Sequence, residues 1–302
     1  MFVGIDIGSI SAKMAVAGAR GDILYADYRF HRGNPAACLS DMLARARESG
    51  HRSCRALCTT GSGRTYAGAL LDADIVRNEI TATWIAAARV EPAVRTIIEI
   101  GGQDSKLITL ENGGIRDFRL NSVCAAGTGS FIEQQSARLG LTPDGLSDRA
   151  MGARENPARF TGRCTVFVET EMINLQQRGY GVESIAAGLF DAVVENYLND
   201  LSPGVRIAPP VLFCGGVSQL EAVKRAFEAR LSLEVRVPPA NTIMAAYGAA
   251  LLASEWSGIE TPGPGRGLSV RIDQEGIPRP ESCTRTDCLE CGNCMPGKSD
   301  RL

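Results

Sequence analysis

Two cysteines open segments with helical character, Cys124 in NSVCAAGTGSF and Cys164 in GRCTVFVETEM. The partial positive charge of a helix N-terminus would lower the pKa of each thiol and favour the thiolate that binds metal. Two thiolates are half of the ligand set of a [4Fe–4S] cluster, which takes four. A second copy of the chain, related by a twofold axis, would supply the other two. The alternative from position alone is that both cysteines are small buried side chains.

A strand that ends in an acid and a turn of small residues opens the chain, in GIDIGSISAK. Gly8, Ser9 and Ser11 would let backbone N–H groups approach phosphate oxygens, and Lys13 follows as a cation. Asp6 at the strand end would hold Mg²⁺ through water, since Mg²⁺ dehydrates reluctantly. This hairpin is therefore a candidate site for the phosphates of ATP or ADP.

A second hairpin of the same kind occurs in IIEIGGQDSK. It offers a strand-end acid, two glycines, an amide, a second acid and a lysine, namely Glu99, Gly101, Gly102, Gln103, Asp104 and Lys106. Gln103 or Asp104 could orient the water that attacks the terminal phosphate. We expect the two hairpins to face each other as a phosphate clamp, with Asp6, Gln103 and Asp104 as the catalytic candidates.

A third glycine turn follows an apolar strand in VLFCGGVS. Gly215 and Gly216 lack a Cβ and could admit an adenine or a ribose against the backbone. Each of the three glycine-containing pieces taken alone is typical of an ordinary turn. Their occurrence in this order in one chain indicates an ATP-binding protein.

The C-terminal residues carry four cysteines at x4, x2 and x2 spacings, which are Cys283, Cys288, Cys291 and Cys294. These gaps resemble ferredoxin-type spacings and favour a second iron–sulfur site, with Zn²⁺ or no metal as the alternatives. Residues 292–299 match the pattern G-x4-G-K-S literally. That pattern binds phosphate only between a strand and a helix, and three residues after Ser299 cannot form a helix.

Composition excludes several functional classes. The net charge is −2 over 302 residues, so no strong field points to nucleic acid or to an anionic membrane. The sequence has no apolar run of membrane-spanning length and no signal peptide, which predicts a cytoplasmic, reducing location. Ten cysteines in such a compartment are metal ligands or buried thiols rather than disulfides. Cys38, Cys54, Cys58 and Cys214 are expected in the core, and His31 and His51 in packing or surface roles.

Hydrophobic patterning predicts an α/β chain with an internal duplication. The segment 96–121 repeats the strand, turn and strand order of the first thirty residues, and both copies place a carboxylate and a lysine around a glycine turn. Strands are predicted at 2–7, 12–17, 22–30 and 211–214, helices at 35–49, 128–139, 164–178, 182–201, 221–231 and 241–255, and a linker at 257–267.

The motifs resemble those of a known family. GIDIGSISAK, IIEIGGQDSK and LFCGGVS are similar to the phosphate-1, phosphate-2 and adenosine elements of the acetate and sugar kinase, Hsp70 and actin superfamily. GGQDSK, CAAGTGSF, CTVFVETE and YGAALLA resemble the ATPase activators of 2-hydroxyacyl-CoA dehydratases and the related ATPase subunits of benzoyl-CoA reductases. The resemblance covers about 2–253, and the cysteine-rich tail departs from the family pattern.

The resemblance implies a two-lobed, actin-like (ribonuclease H-like) α/β fold. Lobe I would comprise 1–92 and 240–256, lobe II 93–239, and the linker with its tail 257–302. It also implies ATP and Mg²⁺ as ligands, and a [4Fe–4S] cluster bridging two copies through Cys124 and Cys164. A ferredoxin or flavodoxin would reduce the cluster, and a 2-hydroxyacyl-CoA dehydratase would receive the electron.

Three other functions compete with an activator. The chain could be the ATPase subunit of a benzoyl-CoA reductase type complex, in which a related ATPase subunit replaces the second copy. It could be a small-molecule kinase of the same fold, which would transfer phosphate and hold no iron. It could also be a metal-binding regulator with a degenerate nucleotide site, which intact Asp6, Lys13, Gln103 and Asp104 argue against.

Overall fold

A computed structural model describes residues 1–121, 124–154, 156–162, 164–259 and 265–268. The chain divides into two compact units. One comprises Met1–Ala86 and the described residues from Ile243 onward, and the other comprises Ala87–Thr242. Within the described residues, no helix is both long and apolar enough to cross a membrane.

The first unit is built on a five-stranded mixed sheet flanked by helices. Its elements are β1 (Phe2–Ile7), β2 (Ser11–Ala17), β3 (Ile23–Phe30), α1 (Pro35–Glu48), β4 (Ser53–Cys54), β5 (Ala56–Thr60), α2 (Arg64–Leu71), β6 (Ile75–Val76), α3 (Glu79–Val90), α9 (Met244–Ile259) and β12 (Arg266–Gly267). The strand order is β3-β2-β1-β5-β6. The central strand β1 is buried at every residue because both of its faces are covered.

Small residues set how closely α9 packs on β1. A Cβ on Gly4 would lie 1.9 Å from the carbonyl oxygen of Ala246 and 2.3 Å from the backbone nitrogen of Ala250. Helix and strand therefore touch backbone to backbone, which only glycine at this position allows. This contact fixes the strand whose end carries Asp6.

The second unit repeats the architecture of the first. Its elements are β7 (Thr96–Ile100), β8 (Ser105–Glu111), β9 (Gly114–Asn121), a 3₁₀ turn (Ala125–Gly127), α4 (Gly129–Arg138), α5 (Pro143–Met151), α6 (Thr165–Gln177), α7 (Val182–Leu201), β10 (Val211–Cys214), a second 3₁₀ turn (Gly216–Gln219), α8 (Glu221–Leu231) and β11 (Val235–Arg236). Long helix α7 carries the largest buried face of the unit, centred on Phe190 and Tyr197.

The two sheets have equivalent connectivity. The second has the order β9-β8-β7-β10-β11, in which β7 pairs antiparallel with β8 and parallel with β10. In the first, β1 pairs antiparallel with β2 and parallel with β5. Both sheets therefore consist of three antiparallel strands followed by two parallel ones, and the predicted duplication is present in the fold.

Two predictions near the C-terminus differ from the described residues. The final helix spans Met244–Ile259 rather than 241–255, because Ala253 is buried and Trp256 packs against the same cluster, so apolar contacts extend the helix. The predicted linker 257–267 is partly structured, since Arg266 pairs with Cys54 and Gly267 with Ser53. Leu268 is buried on the first unit. Cys283, Cys288, Cys291 and Cys294, with the pattern at 292–299, lie outside the described residues.

Candidate functional site

The first hairpin places an acid and a lysine side by side at a strand end. Asp6 is directly opposite Lys13 in the β1–β2 register, and Lys13 Nζ lies 2.9 Å from Asp6 Oδ2. Asp6 is only 7% exposed. The turn between them closes where Gly8 N donates to Ser11 O at 2.9 Å, with Ser9 at its tip. A compact turn with one buried carboxylate and one lysine suits Mg²⁺ and phosphate.

A glycine turn after β5 supports the same carboxylate and was not assigned to the site from the sequence. Thr60 is the neighbour of Asp6 in the parallel β1–β5 register. A Cβ on Gly61 would lie 2.2 Å from Asp6 Oδ1, and Gly63 N donates to Ile7 O at 2.8 Å. The sequence predicts a glycine-rich turn after this strand, and the signal that could have assigned the turn to the site is a glycine directly after an apolar strand, as at Gly215.

His31 also touches the first hairpin. Its Nε2 lies 3.1 Å from the carbonyl oxygen of Gly8. Sequence patterning predicts only a packing or surface role for His31, because the group that it contacts is a backbone carbonyl 23 residues away. His51 lies against Met1, with Nδ1 3.2 Å from the sulfur, and remains outside the hairpin.

The second hairpin has the same layout with a richer charge set. Glu99 is opposite Lys106 in the β7–β8 register, and Lys106 Nζ lies 3.1 Å from Glu99 and 2.7 Å from Asp104. The turn closes where Gly101 N donates to Asp104 O at 2.9 Å. Lys106 is 3% exposed, so its charge is held between the two carboxylates. Gln103 is exposed at the tip of this turn, next to Gly102.

The third glycine element sits against the end of β7. Gly215 has φ of +89°, and a Cβ there would lie 2.3 Å from the carbonyl oxygen of Ile100. Gly216 opens the following 3₁₀ turn. Cys214, beside them, is buried, and this burial, with the nearby charge of Glu99, raises the pKa of its thiol well above the ordinary value. Cys214 is therefore a neutral core residue, as predicted.

Cys124 is exposed, but it does not begin an α-helix. It precedes the single 3₁₀ turn Ala125–Gly127, and α4 starts only at Gly129. The predicted placement is wrong because Thr128 adopts an extended conformation and bonds back to Ala125, which interrupts the helix. The helix-dipole argument consequently does not apply to Cys124.

Asn121 holds the backbone of Cys124 from both sides. Its Nδ2 donates to Cys124 O at 2.9 Å, and its Oδ1 accepts from Cys124 N at 3.0 Å. Both ends of one amide are thus bonded to a single residue. No sequence signal marked Asn121, although asparagine at a strand end often bonds nearby backbone.

Cys164 is exposed and directly precedes α6, as predicted. Glu171 lies in α6, seven residues after Cys164. Its carboxylate accepts hydrogen bonds from Thr161 N at 2.9 Å, from Gly162 N at 3.2 Å and from the Thr161 hydroxyl. Partial burial opposes ionisation, but these hydrogen bonds outweigh it and lower the pKa of Glu171. Glu171 therefore fixes the segment leading to Cys164, and Glu169 forms an ion pair with Arg138 on α4.

The segment after Cys124 is bonded directly to the second hairpin. Gly129 N donates to Gly101 O at 2.9 Å, and Ser130 N donates to Gly102 O at 2.7 Å. The Ser130 hydroxyl donates to the same Gly102 oxygen at 2.6 Å. One phosphate-type turn and one exposed cysteine therefore belong to a single hydrogen-bonded substructure.

The remaining described cysteines do not form a metal site. Cys54, Cys58 and Cys214 are buried and Cys38 is half-buried, which places the first three in the core as expected. Within the described part of the chain, no group of three or more Cys, His, Asp or Glu side chains could hold a metal ion. Cys124 and Cys164 are the exposed thiols of this part, and each chain offers them as an incomplete ligand set.

The sequence profile of the BadF/BadG/BcrA/BcrD ATPase family matches residues 3–253. The activator of lactoyl-CoA dehydratase from Anaerotignum propionicum is 34% identical over 257 residues, covering 84% of this chain and 97% of that protein. Component A of (R)-2-hydroxyglutaryl-CoA dehydratase from Acidaminococcus fermentans has a similar structure, with a TM-score of 0.78, 30% identity, and coverage of 85% of this chain and 98% of that one.

A third similar protein was solved with a nucleotide. It is the activator of the 2-hydroxyisocaproyl-CoA dehydratase from Clostridium difficile with bound ADPNP. Its TM-score is 0.76 at 28% identity, and the alignment covers 86% of this chain and 96% of that chain. These structures confirm the predicted α/β, actin-like ATPase fold.

Proposed function

Because this chain belongs to the BadF/BadG/BcrA/BcrD ATPase family, we propose that it is an ATP-dependent activator of a 2-hydroxyacyl-CoA dehydratase. Its task would be to deliver an electron of low potential to that partner at the expense of ATP. Relatives named as activators of such dehydratases match it along most of their length, which supports this proposal. The chemistry on the acyl-CoA would belong to the partner.

The nucleotide part of the proposal assigns a role to each hairpin. Asp6 and Lys13 would hold Mg²⁺ and phosphate in the first, with Gly8, Ser9 and Ser11 supplying backbone groups. In the second, Gly101, Gly102 and Lys106 would contact phosphate, Gln103 and Asp104 would orient water, and Gly215 and Gly216 would receive the adenosine. The ADPNP in a similar activator structure supports a nucleotide as the ligand.

The cysteines suit a [4Fe–4S] cluster shared by two chains. Both Cys124 and Cys164 are exposed on the second unit, and the described residues offer no third ligand of a suitable kind. Two copies would supply four thiolates, the number that a cluster of this type takes. When bound, such a cluster supplies one-electron transfer. Asn121 and Glu171 would hold the two ligand-bearing segments in place.

Exposed apolar side chains next to Cys164 support a second copy as the partner in this assembly. Val166 and Phe167 lie two and three residues after Cys164, and their side chains are 65% and 66% exposed. An adjacent pair of exposed apolar side chains beside a proposed cluster ligand suits a protein-binding surface. A twofold axis beside Cys164 would bury both copies of this pair.

The electron would come from a ferredoxin or a flavodoxin and go to the dehydratase. ATP can drive this transfer only if the ATP and ADP states differ in affinity for the partner or in cluster potential. The tail cysteines would hold a second iron–sulfur cluster or Zn²⁺, and the former would serve as an electron entry point.

The observation that carries the proposal is the direct bonding of the Cys124 segment to the phosphate-type turn at Gly101–Gly102. The test is ATP-dependent electron transfer from reduced ferredoxin to a 2-hydroxyacyl-CoA dehydratase under anaerobic conditions. Wild-type protein should support both ATP hydrolysis and transfer, Asp6→Asn neither, and Cys164→Ser hydrolysis alone. Transfer of phosphate to a small molecule by an iron-free protein would favour the kinase function instead.

A further inference from the structure

The segment Cys124–Ser130 forms an arch, with one end attached to the turn of the second hairpin and the other to the end of the neighbouring strand β9. At one end, Ser130 and Gly129 bond to the carbonyl oxygens of Gly102 and Gly101. At the other end, Asn121 bonds both backbone groups of Cys124. Asn121 is itself opposite Ser105 in the β8–β9 register, the residue that directly follows the turn.

Gly127, within the arch, packs against helix α7. A Cβ on Gly127 would lie 3.2 Å from the backbone nitrogen of Tyr197, so the arch touches α7 at backbone distance. The buried hydroxyl of Tyr197 donates to the carbonyl oxygen of Lys106 at 2.6 Å. Thr128 is completely buried. The arch consequently has three attachments, all leading to β8 or to its turn.

A segment attached in this way should move when the turn to which it is bonded moves. Cores and packed backbones shift between discrete arrangements rather than deforming smoothly, so a turn that moves will move a segment bonded to it. Coupling between two positions needs such a contiguous physical connection and a difference between two states. Here the connection runs from the Gly102 carbonyl to the exposed Cys124 thiol over seven residues.

We infer that Ser130 is a positioning residue that transmits the nucleotide state of the Gly101–Asp104 turn to Cys124. The inference rests on the proposed nucleotide-binding role of this turn. Ser130 makes two of the three hydrogen bonds between the arch and the turn, and both go to Gly102 O. One of them comes from the Ser130 hydroxyl, so a side-chain substitution can remove it. Asn121 holds the other end of the arch at the end of β9, so a displacement at Ser130 changes the conformation of the segment that carries Cys124.

The test measures the alkylation rate of Cys124 in the cluster-free full-length chain by iodoacetamide. Trypsin separates Cys124 in peptide 120–138 from Cys164 in peptide 164–178, so mass spectrometry reads each thiol alone. Rates are compared with ADP and with a non-hydrolysable ATP analogue. Binding of a fluorescent ADP analogue, measured in parallel, reports the nucleotide site independently of the thiol.

In wild-type protein, the alkylation rate of Cys124 should differ between the ADP-bound state and the state with the ATP analogue. Ser130→Ala should reduce that ratio by about threefold or more, which is the size one neutral hydrogen bond supports. Ser130→Thr keeps the hydroxyl and should retain the ratio. Ser136→Ala is the matched control, because Ser136 lies on the same helix and its hydroxyl bonds to Glu133 O within that helix.

Each failure has a separate meaning. If the fluorescent nucleotide does not bind to wild-type protein, the proposed function fails and this inference fails with it. If it binds and Cys124 reacts at one rate with both nucleotides, or if Ser130→Ala responds like wild type, only the inference is overturned. Asn121→Asp, which loses the donor to Cys124 O, should also reduce the ratio and provides a second variant should Ser130→Ala not fold.

Discussion

Gly61 and Gly215 occupy equivalent positions in the two sheets. Each directly follows the strand that pairs in parallel with the first strand of its sheet, and their φ angles are +91° and +89°. Each also lies against the end of that first strand, Gly61 on Ile7 and Gly215 on Ile100. The duplication therefore preserves a backbone detail, and a site element recognised from sequence in one unit has a counterpart in the other.

We expect Gly61→Ala and Gly215→Ala each to destabilise the protein strongly and to abolish nucleotide binding. The added Cβ would lie 2.2 to 2.3 Å from an oxygen atom, in addition to the strain of a positive φ. Gly113→Ala and Gly204→Ala are matched controls, since both have a positive φ and open space around the Cβ position. They should cost only about 1 kcal/mol in urea unfolding and leave binding unchanged. Equal losses of stability in the two site variants and in the two control variants would contradict the close backbone contacts at Gly61 and Gly215.

Lys106→Met should destabilise the protein by about 3 kcal/mol, because it removes the buried cation that lies between the carboxylates of Glu99 and Asp104. The double variant Glu99→Gln with Lys106→Met should recover part of that loss and still lack ATPase activity. Urea unfolding and phosphate release measure the two effects. Lys224→Met, which removes a half-exposed lysine on α8, is the control. It should leave both the stability and the ATPase activity close to those of wild type. Recovery of activity in the double variant would exclude Lys106 from the site.

Phe167→Glu should convert a dimer into single chains of 32.1 kDa and remove most of the bound iron, because a charge would enter the proposed interface beside Cys164. Sedimentation velocity under anaerobic conditions measures the mass. The control is Phe30→Glu, at a side chain that is 61% exposed on edge strand β3 of the other unit. That variant should remain dimeric. Dimers of unchanged stability in Phe167→Glu would place the interface elsewhere.

Stability should fall at alkaline pH through Cys58. Burial raises the pKa of its thiol to about 12, above the value of about 8.5 in an unfolded chain. The folded state then retains a proton that the unfolded state releases, so this stabilisation is complete below pH 8.5 and is lost as the pH rises towards 12. Each pH unit in that window should cost about 1.4 kcal/mol. Cys58→Ala should show a correspondingly shallower decline in urea unfolding, and an equal decline in Cys58→Ala and wild type would contradict this assignment.

Much of the fold was predictable because the central strands are short apolar runs and the duplicated hairpins carry the same acid, glycine and lysine order. Helices α2, α3 and α5 were not predicted. Helix α2, for example, begins after Gly63 without a side-chain cap, so it carries no start signal in the sequence. Helix α9 extends further than predicted because packing around Trp256 outweighs local propensity.

The residues that position the site were harder to foresee than those that would bind ligand. Glycines, acids and cysteines have recognisable spacings, whereas Asn121, Ser130 and Glu171 act through hydrogen bonds to backbone groups. His31 contacts Gly8 across 23 residues, and Ser130 contacts Gly102 across 28. Such pairs depend on the tertiary fold and leave no local pattern in the sequence.

Iron per chain tests the central claim most directly. The full chain would be purified anaerobically with its four tail cysteines replaced, as Cys283→Ser, Cys288→Ser, Cys291→Ser and Cys294→Ser. One cluster shared by two copies predicts about two irons per chain in this variant, and none when Cys124→Ser or Cys164→Ser is added. A folded tail variant without iron, or one that keeps its iron after either further substitution, would contradict a cluster bridged by Cys124 and Cys164.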